Sequence, residues 1–201
     1  ATAHRWLGRW YKEGVFDRVL SGLLRKGISS GKVDLSTLLV DGSFSPAPGS
    51  GESVNHGYKG KGVVVHVLAD GSGNPLAITT TPANSNERLQ VEILLDKANI
   101  HPTKTMPIFE ADKGYDCLWL RSFLLQKHLF PLIPYRKNTS KASVFKETFS
   151  INSKRWKVER TFAGLKRKCR RLMMRWERKL VIREAFTILG LMFMWVNNLL
   201  R

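Results

Sequence analysis

Sixteen acidic side chains are set among 33 Lys and Arg in this 201-residue chain, and three of the acids have positions from which they could act together. Asp41 closes the apolar run Leu38-Leu39-Val40, Asp112 follows the apolar segment 107–111, and Glu159 lies in a long amphipathic stretch toward the C-terminus. Carboxylates are hard oxygen donors suited to Mg²⁺ or Mn²⁺, ions that commonly take one or two carboxylates together with water and phosphate oxygens. Three converging carboxylates suffice for two such ions, which serve in-line displacement at a phosphodiester by activating the attacking oxygen and stabilising the leaving one. No His or Cys is arranged as a covalent nucleophile, which agrees with that chemistry. Each acid also has an ordinary role available: Asp41 and Asp112 could begin turns, and Glu159 could pair with Arg155 one helical turn earlier. Glu110 and Asp116, which flank Asp112, are alternative ligands.

Bringing the three acids together needs a sheet with helices between its later strands. Residues 4–26 carry apolar side chains at helical spacing, with Gly14 interrupting, and predict two short helices; Trp6, Trp10, Phe16 and Leu20 read as their core face. A strand ending at Asp41 then runs into a Pro/Gly/Ser-rich loop over 45–57. Residues 62–69 and 76–81 are β-rich and joined by Asp70-Gly71-Ser72-Gly73-Asn74-Pro75, which predicts a hairpin. A helix over 84–98 with Leu89, Ile93 and Leu94 on one side, a strand over 107–111, a helix over 118–126 and a strand over 130–134 follow. The stretch 154–176 predicts one helix: Val158, Phe162, Leu165, Cys169, Leu172 and Trp176 fall on a single stripe at about 100° per residue. The same projection gives it a cationic face of Arg160, Arg167, Lys168, Arg170, Arg171 and Arg175. Residues 180–200 are apolar nearly all round and predict a core helix or a subunit contact. Strand, strand, strand, helix, strand, helix, strand, helix is the order of a ribonuclease-H-like α/β fold, a mixed sheet flanked by helices.

The charge points to a polyanion. The formal net charge is +17 and the mean hydropathy −0.21; residues 151–201 alone hold 14 basic and 3 acidic side chains. A chain that is 43% hydrophobic is not expected to be disordered. The most apolar stretch, 185–196, is shorter than the roughly 20 residues a bilayer span needs, and no signal sequence opens the chain, so an intracellular protein without a membrane partner is expected. Cys117 and Cys169 have neither disulfide nor zinc spacing and read as buried thiols. Lys59 and Lys61, in a Gly-Tyr-Lys-Gly-Lys-Gly run without the strand and helix a phosphate-cradling loop requires, read as a contact to the backbone of that polyanion or a plain strand-entry turn. His66, alternating with valines, reads as structural.

The blocks LLVDGSFSP, LAITTTPANSNE, FEADKGYD, PLIPYRKN and RWKVERTFAGLKRKCRRL resemble consecutive segments of DDE-type insertion-sequence transposases of the IS-four and IS-five group. The resemblance implies a short N-terminal helical remnant, 1–33, followed by a ribonuclease-H-like catalytic domain, 34–201. It implies Asp41, Asp112 and Glu159 as ligands of two Mg²⁺ ions, with Mn²⁺ as a substitute, in an enzyme that cuts at transposon ends and joins strands to target DNA. Arg155, Glu159 and Lys166 fit the last three elements of the family's signature, with Asn152 where the signature has Tyr. Arg155 and Lys166 would touch the DNA backbone or order the site, and Arg136 and Lys137 would lie near the DNA, as would the cationic residues Arg167, Arg170 and Arg171. Double-stranded DNA, a homodimeric assembly and a bacterial cytoplasmic location complete what the resemblance implies.

Overall fold

The computed structural model describes residues 2–100, 105–136 and 154–200. Its elements are helices α1 (Thr2–Lys12) and α2 (Val15–Ser29), strands β1 (Thr37–Pro46), β2 (Asn55–Gly57), β3 (Gly60–Asp70) and β4 (Pro75–Pro82), then helix α3 (Gln90–Ala98). Strand β5 (Ile108–Glu110), helix α4 (Leu118–Gln126), strand β6 (Phe130–Leu132), and helices α5 (Trp156–Lys168) and α6 (Leu180–Leu199) follow. Gly14 separates α1 from α2 at φ 67°, a left-handed conformation that costs glycine little.

β1 lies at the centre of one six-stranded mixed sheet. It pairs antiparallel with β3 from Leu38 opposite Asp70 to Pro46 opposite Gly62, and parallel with β5 from Thr37 opposite Ile108 to Leu39 opposite Glu110. β4 and the short β2 pair with the far edge of β3, and β6 pairs parallel with β5. Three antiparallel strands followed by two parallel ones on the other side of β1 constitute the ribonuclease-H-like order. Pro131 is tolerated in β6 because that strand forms the sheet edge. β3 is buried from Val63 to Asp70, as expected for a strand covered on both faces.

Helix α3 packs on β3 and β4, α4 on β6, α5 on β1 and β3, and α6 on β4, α5, α1 and α2. α6 has the length and hydropathy of a bilayer span, so length alone does not separate the two roles. Within the protein, however, its Arg183 and Trp195 are fully buried, and the Trp195 indole N–H donates to Pro75 O at 2.7 Å.

Several sequence expectations change. The helix foreseen over 154–176 ends at Lys168: Cys169 leaves helical geometry (φ −118°, ψ 72°), and a single 3-10 turn, Arg170–Leu172, follows. Tertiary bonds redirect the chain there, because Ser45 Oγ donates to Leu172 O at 2.9 Å and Arg175 N donates to Pro46 O at 2.8 Å. Past the break the helical projection no longer applies, so Arg175 is buried and Trp176 exposed. Leu89 and Ile93 are exposed while Val91 and Leu94 are buried: Leu89 belongs to a 3-10 turn before α3, and the inward face of α3 carries Val91 and Leu94, three residues apart. The segment 45–57 is partly strand, and Glu52 N donates to Arg178 O at 2.8 Å. Phe16 and Leu20 are core, Trp6 and Trp10 are largely exposed, and both cysteines are only partly buried.

Candidate active site

Alternation along β1 assigns its side chains to two faces. Ser43 and Ser45 face α5 and the turn after it: Lys166 Nζ donates to Ser43 Oγ at 2.8 Å and to Phe44 O at 3.1 Å. Asp41 shares their parity. Gly42 faces the other way, where an added Cβ would stand 2.7 Å from Glu87 Oε2, 3.1 Å from Val64 and 3.3 Å from His66 Nδ1.

Asp41 accepts from its neighbour's amide, Gly42 N, at 2.8 Å. Burial pushes its carboxyl pKa up; the Gly42 amide and the Arg155 guanidinium oppose the rise, while the charges of Asp112 and Glu159 add to it, and the net direction is upward. The three acids singled out by sequence, together with Arg155, therefore share one electrostatic neighbourhood. About 100° per residue places Arg155, Glu159 and Lys166 within roughly 40° of one another around α5.

Asp112 caps the 3-10 turn Lys113–Tyr115, accepting from Gly114 N at 2.7 Å, so the turn role foreseen for it is also filled. That turn is clamped from outside. Arg88 Nε donates to Gly114 O at 2.9 Å, and Arg136 donates to Lys113 O and Gly114 O at 3.4 Å each. The two alternative ligands are engaged elsewhere. Glu110 is buried and accepts from Lys154 N at 3.0 Å, whereas Asp116 is bridged to Arg121 at 2.9 Å and accepts from Arg136 N.

Sequence reasoning missed Glu87 and Tyr115. Tyr115 OH donates to Glu87 Oε2 at 3.4 Å. Burial and then the Asp112 charge raise the Glu87 pKa against the opposing Tyr115 hydroxyl and Lys59, and the buried Tyr115 phenol is pushed well above its usual range by burial, Glu87, Asp41 and Asp112. A fourth carboxylate thus reaches the same field. Its only sequence signal is the pair Asn86-Glu87 after a strand, which reads as an ordinary helix start, and Asn86 does accept from Arg88 N.

The donor set is all oxygen and mutually repulsive, the kind of site a hard divalent cation relieves. Among the described residues, though, no three His, Cys, Asp or Glu side chains gather closely enough to hold one ion. The basic candidates divide. Lys59 is exposed at the β2–β3 turn and electrostatically coupled to both Glu87 and Lys166, and Lys61 is half-buried on β3. Arg136, Arg167 and Arg170 are exposed, Arg171 pairs with Glu177, and Lys137 lies outside the described residues.

Residues 33–150, more than half of the chain, match the family described as the transposase DDE domain. The match includes Asp41 and Asp112 and stops short of Glu159. A putative transposase for insertion sequence element IS402 from Burkholderia cepacia is 34% identical over 142 residues, covering 68% of this chain and 64% of its own length. A solved structure, the Mos1 transposase paired-end complex with left transposon end, is similar at a TM-score of 0.36 and 12% identity, over 85% of this chain and 61% of that one; the fold assignment rests on the strand pairing instead. The chain belongs to the DDE transposase family. It spans less than two thirds of the length of the IS402 relative.

Proposed function

We propose that this chain carries the catalytic part of a DNA transposase that cleaves DNA at transposon ends and transfers the resulting 3′-hydroxyl strand into target DNA. The observation that carries the reading is the match of residues 33–150 to the DDE transposase family, with Asp41 on β1 and Asp112 just after the adjacent parallel strand β5. Asp41, Asp112 and Glu159 are the proposed holders of two Mg²⁺ or Mn²⁺ ions, which when bound supply activation of the attacking hydroxyl and stabilisation of the leaving oxygen. Lys166, fastened to β1 through Ser43 and Phe44, fixes the face of α5 that carries Glu159 and offers a cation to a phosphate. Lys59 and Arg155 contribute positive charge on the same side. A homodimer acting on paired ends in the bacterial cytoplasm is part of this reading.

Asp112→Asn is expected to abolish Mn²⁺-dependent strand transfer from a pre-cut end while leaving DNA binding within about twofold; transfer at the unaltered rate would remove Asp112 from the site. One observation favours a second reading, a transposase-derived protein that binds DNA without cutting it: Asn152 stands where the family's signature has Tyr. Calorimetric titration with Mn²⁺ separates the two, since only the enzyme should show binding that disappears in Asp112→Asn.

A further inference from the structure

On the side of α5 turned away from Asp41 lies an open groove of about 680 Å³, lined by Lys32, Arg160, Arg167, Lys168 and Gly164, with the β3–β4 turn at its floor. At about 100° per residue the four α5 positions sit roughly 100–160° around the helix from Lys166. This is therefore not the catalytic face.

The groove is built from four parts of the chain joined by hydrogen bonds. Arg160 Nη2 donates to Ser72 O at 3.3 Å and Thr161 Oγ1 to Gly73 O. Asn74 Nδ2 donates to Lys32 O at 3.0 Å, Asn198 Nδ2 to Asn74 Oδ1 at 2.9 Å, and Lys32 Nζ to Asn198 O at 2.7 Å. The acid of the β3–β4 turn, Asp70, is fully buried, and its carboxylate accepts from Asp34 N, Ser72 N and Asn74 N instead of facing the groove. No acidic side chain lines the groove among the described residues.

We propose that this groove is a second binding site for double-stranded DNA, holding the phosphate backbone of a segment other than the one at the carboxylates. The inference rests on the DNA-binding part of the function proposed above. Arg160, Arg167 and Lys168 are exposed and do not converge on one point. A rise of about 1.5 Å per residue spreads them over roughly 12 Å, between three and four steps of a B-DNA strand at ~3.4 Å each. That spacing suits a run of phosphates better than a single small anion. The helix bearing Glu159 would then lie between two DNA segments, one on each side.

Gly164 allows a direct test. It sits mid-groove, and an added Cβ would meet only Met194 Cε at 3.8 Å, an ordinary contact. Replacing a glycine within a helix also favours the helix, so Gly164→Glu introduces negative charge without disturbing packing, and Gly164→Gln controls for size. Binding of the full chain to a 20-base-pair duplex would be measured by fluorescence anisotropy across a salt series, with stoichiometry at saturation. Gly164→Glu is expected to lose the second duplex and weaken overall affinity at least about tenfold, with Gly164→Gln close to the parent. The triple variant Arg160→Ala/Arg167→Ala/Lys168→Ala should lower the log–log salt slope by about 2–3. Unchanged stoichiometry and slope in both variants would overturn the proposal. Displacement of duplex from the groove by millimolar inorganic phosphate would overturn it too, in favour of a small-anion site. A parent chain that shows the groove effects but no Mn²⁺-dependent strand transfer would retire the proposed catalysis alone. Active parent and Gly164→Glu chains with identical binding would retire the groove alone.

Discussion

Glu87 lies over Gly42, on the face of β1 opposite to the one Asp41 shares with Ser43, yet its charge bears on Asp112 and on the Tyr115 phenol. A carboxylate so placed adds to the negative potential without being one of the three proposed ligands. Glu87→Gln is therefore expected to weaken Mn²⁺ binding by about tenfold, within the range for residues supporting a metal site, whereas Asp112→Asn removes it. Calorimetry on both variants checks this, and an unaltered Mn²⁺ affinity in Glu87→Gln would confine Glu87 to holding Tyr115. The acids in β1, after β5 and in α5 were legible in sequence because each follows or sits within a strongly patterned element. Glu87 was not, because what brings it to the site is the absence of a side chain at residue 42, a contact across the sheet that leaves no periodic trace.

Among the elements, the β3–β4 hairpin shows how patterned segments and tertiary bonds divide the work. Its strands and the Asp70–Asn74 turn follow from β-branched runs and turn residues. His66 within it is fully buried, with Nε2 2.8 Å from Thr81 Oγ1, and burial lowers its pKa to about 4. Unfolded His titrates near 6.5, so between those values the unfolded chain binds a proton that the folded chain refuses. Stability should accordingly be intact above about pH 6.5, fall as pH drops toward 4, and lose on the order of 3 kcal/mol from this residue across that span. Asp41, Asp70 and Glu87 have raised pKa values and act in the opposite sense at the acid end. The measurement is therefore the difference in pH slope of chemical denaturation between the parent chain and His66→Gln, and equal slopes would contradict it. The alternation of His66 with valines made its burial readable. The early end of α5 was not readable, because Cys169 to Leu172 continue a good apolar stripe, and only Ser45, Pro46 and Arg183, distant in sequence, redirect them.

Across the whole molecule, the N-terminal helices are fastened to the sheet through α6. A Cβ at Gly27 of α2 would run into the Trp195 indole, and that indole in turn donates to Pro75 at the start of β4. Gly27→Ala is expected to destabilise the entire chain by ~1–3 kcal/mol through overpacking, read as one lowered melting transition and not as a separate early loss of α1 and α2. A two-step melt would show that the helical segment folds independently of the sheet. The centre of that sheet carries a further consequence. β1 is held by β3 along its length and by β5 over its first three residues, and each shift by one position exchanges a carboxylate for the bare hydrogen of Gly42. Copies of this sequence that diverge over time and gain or lose a residue within 37–46 should therefore survive only as inactive relics.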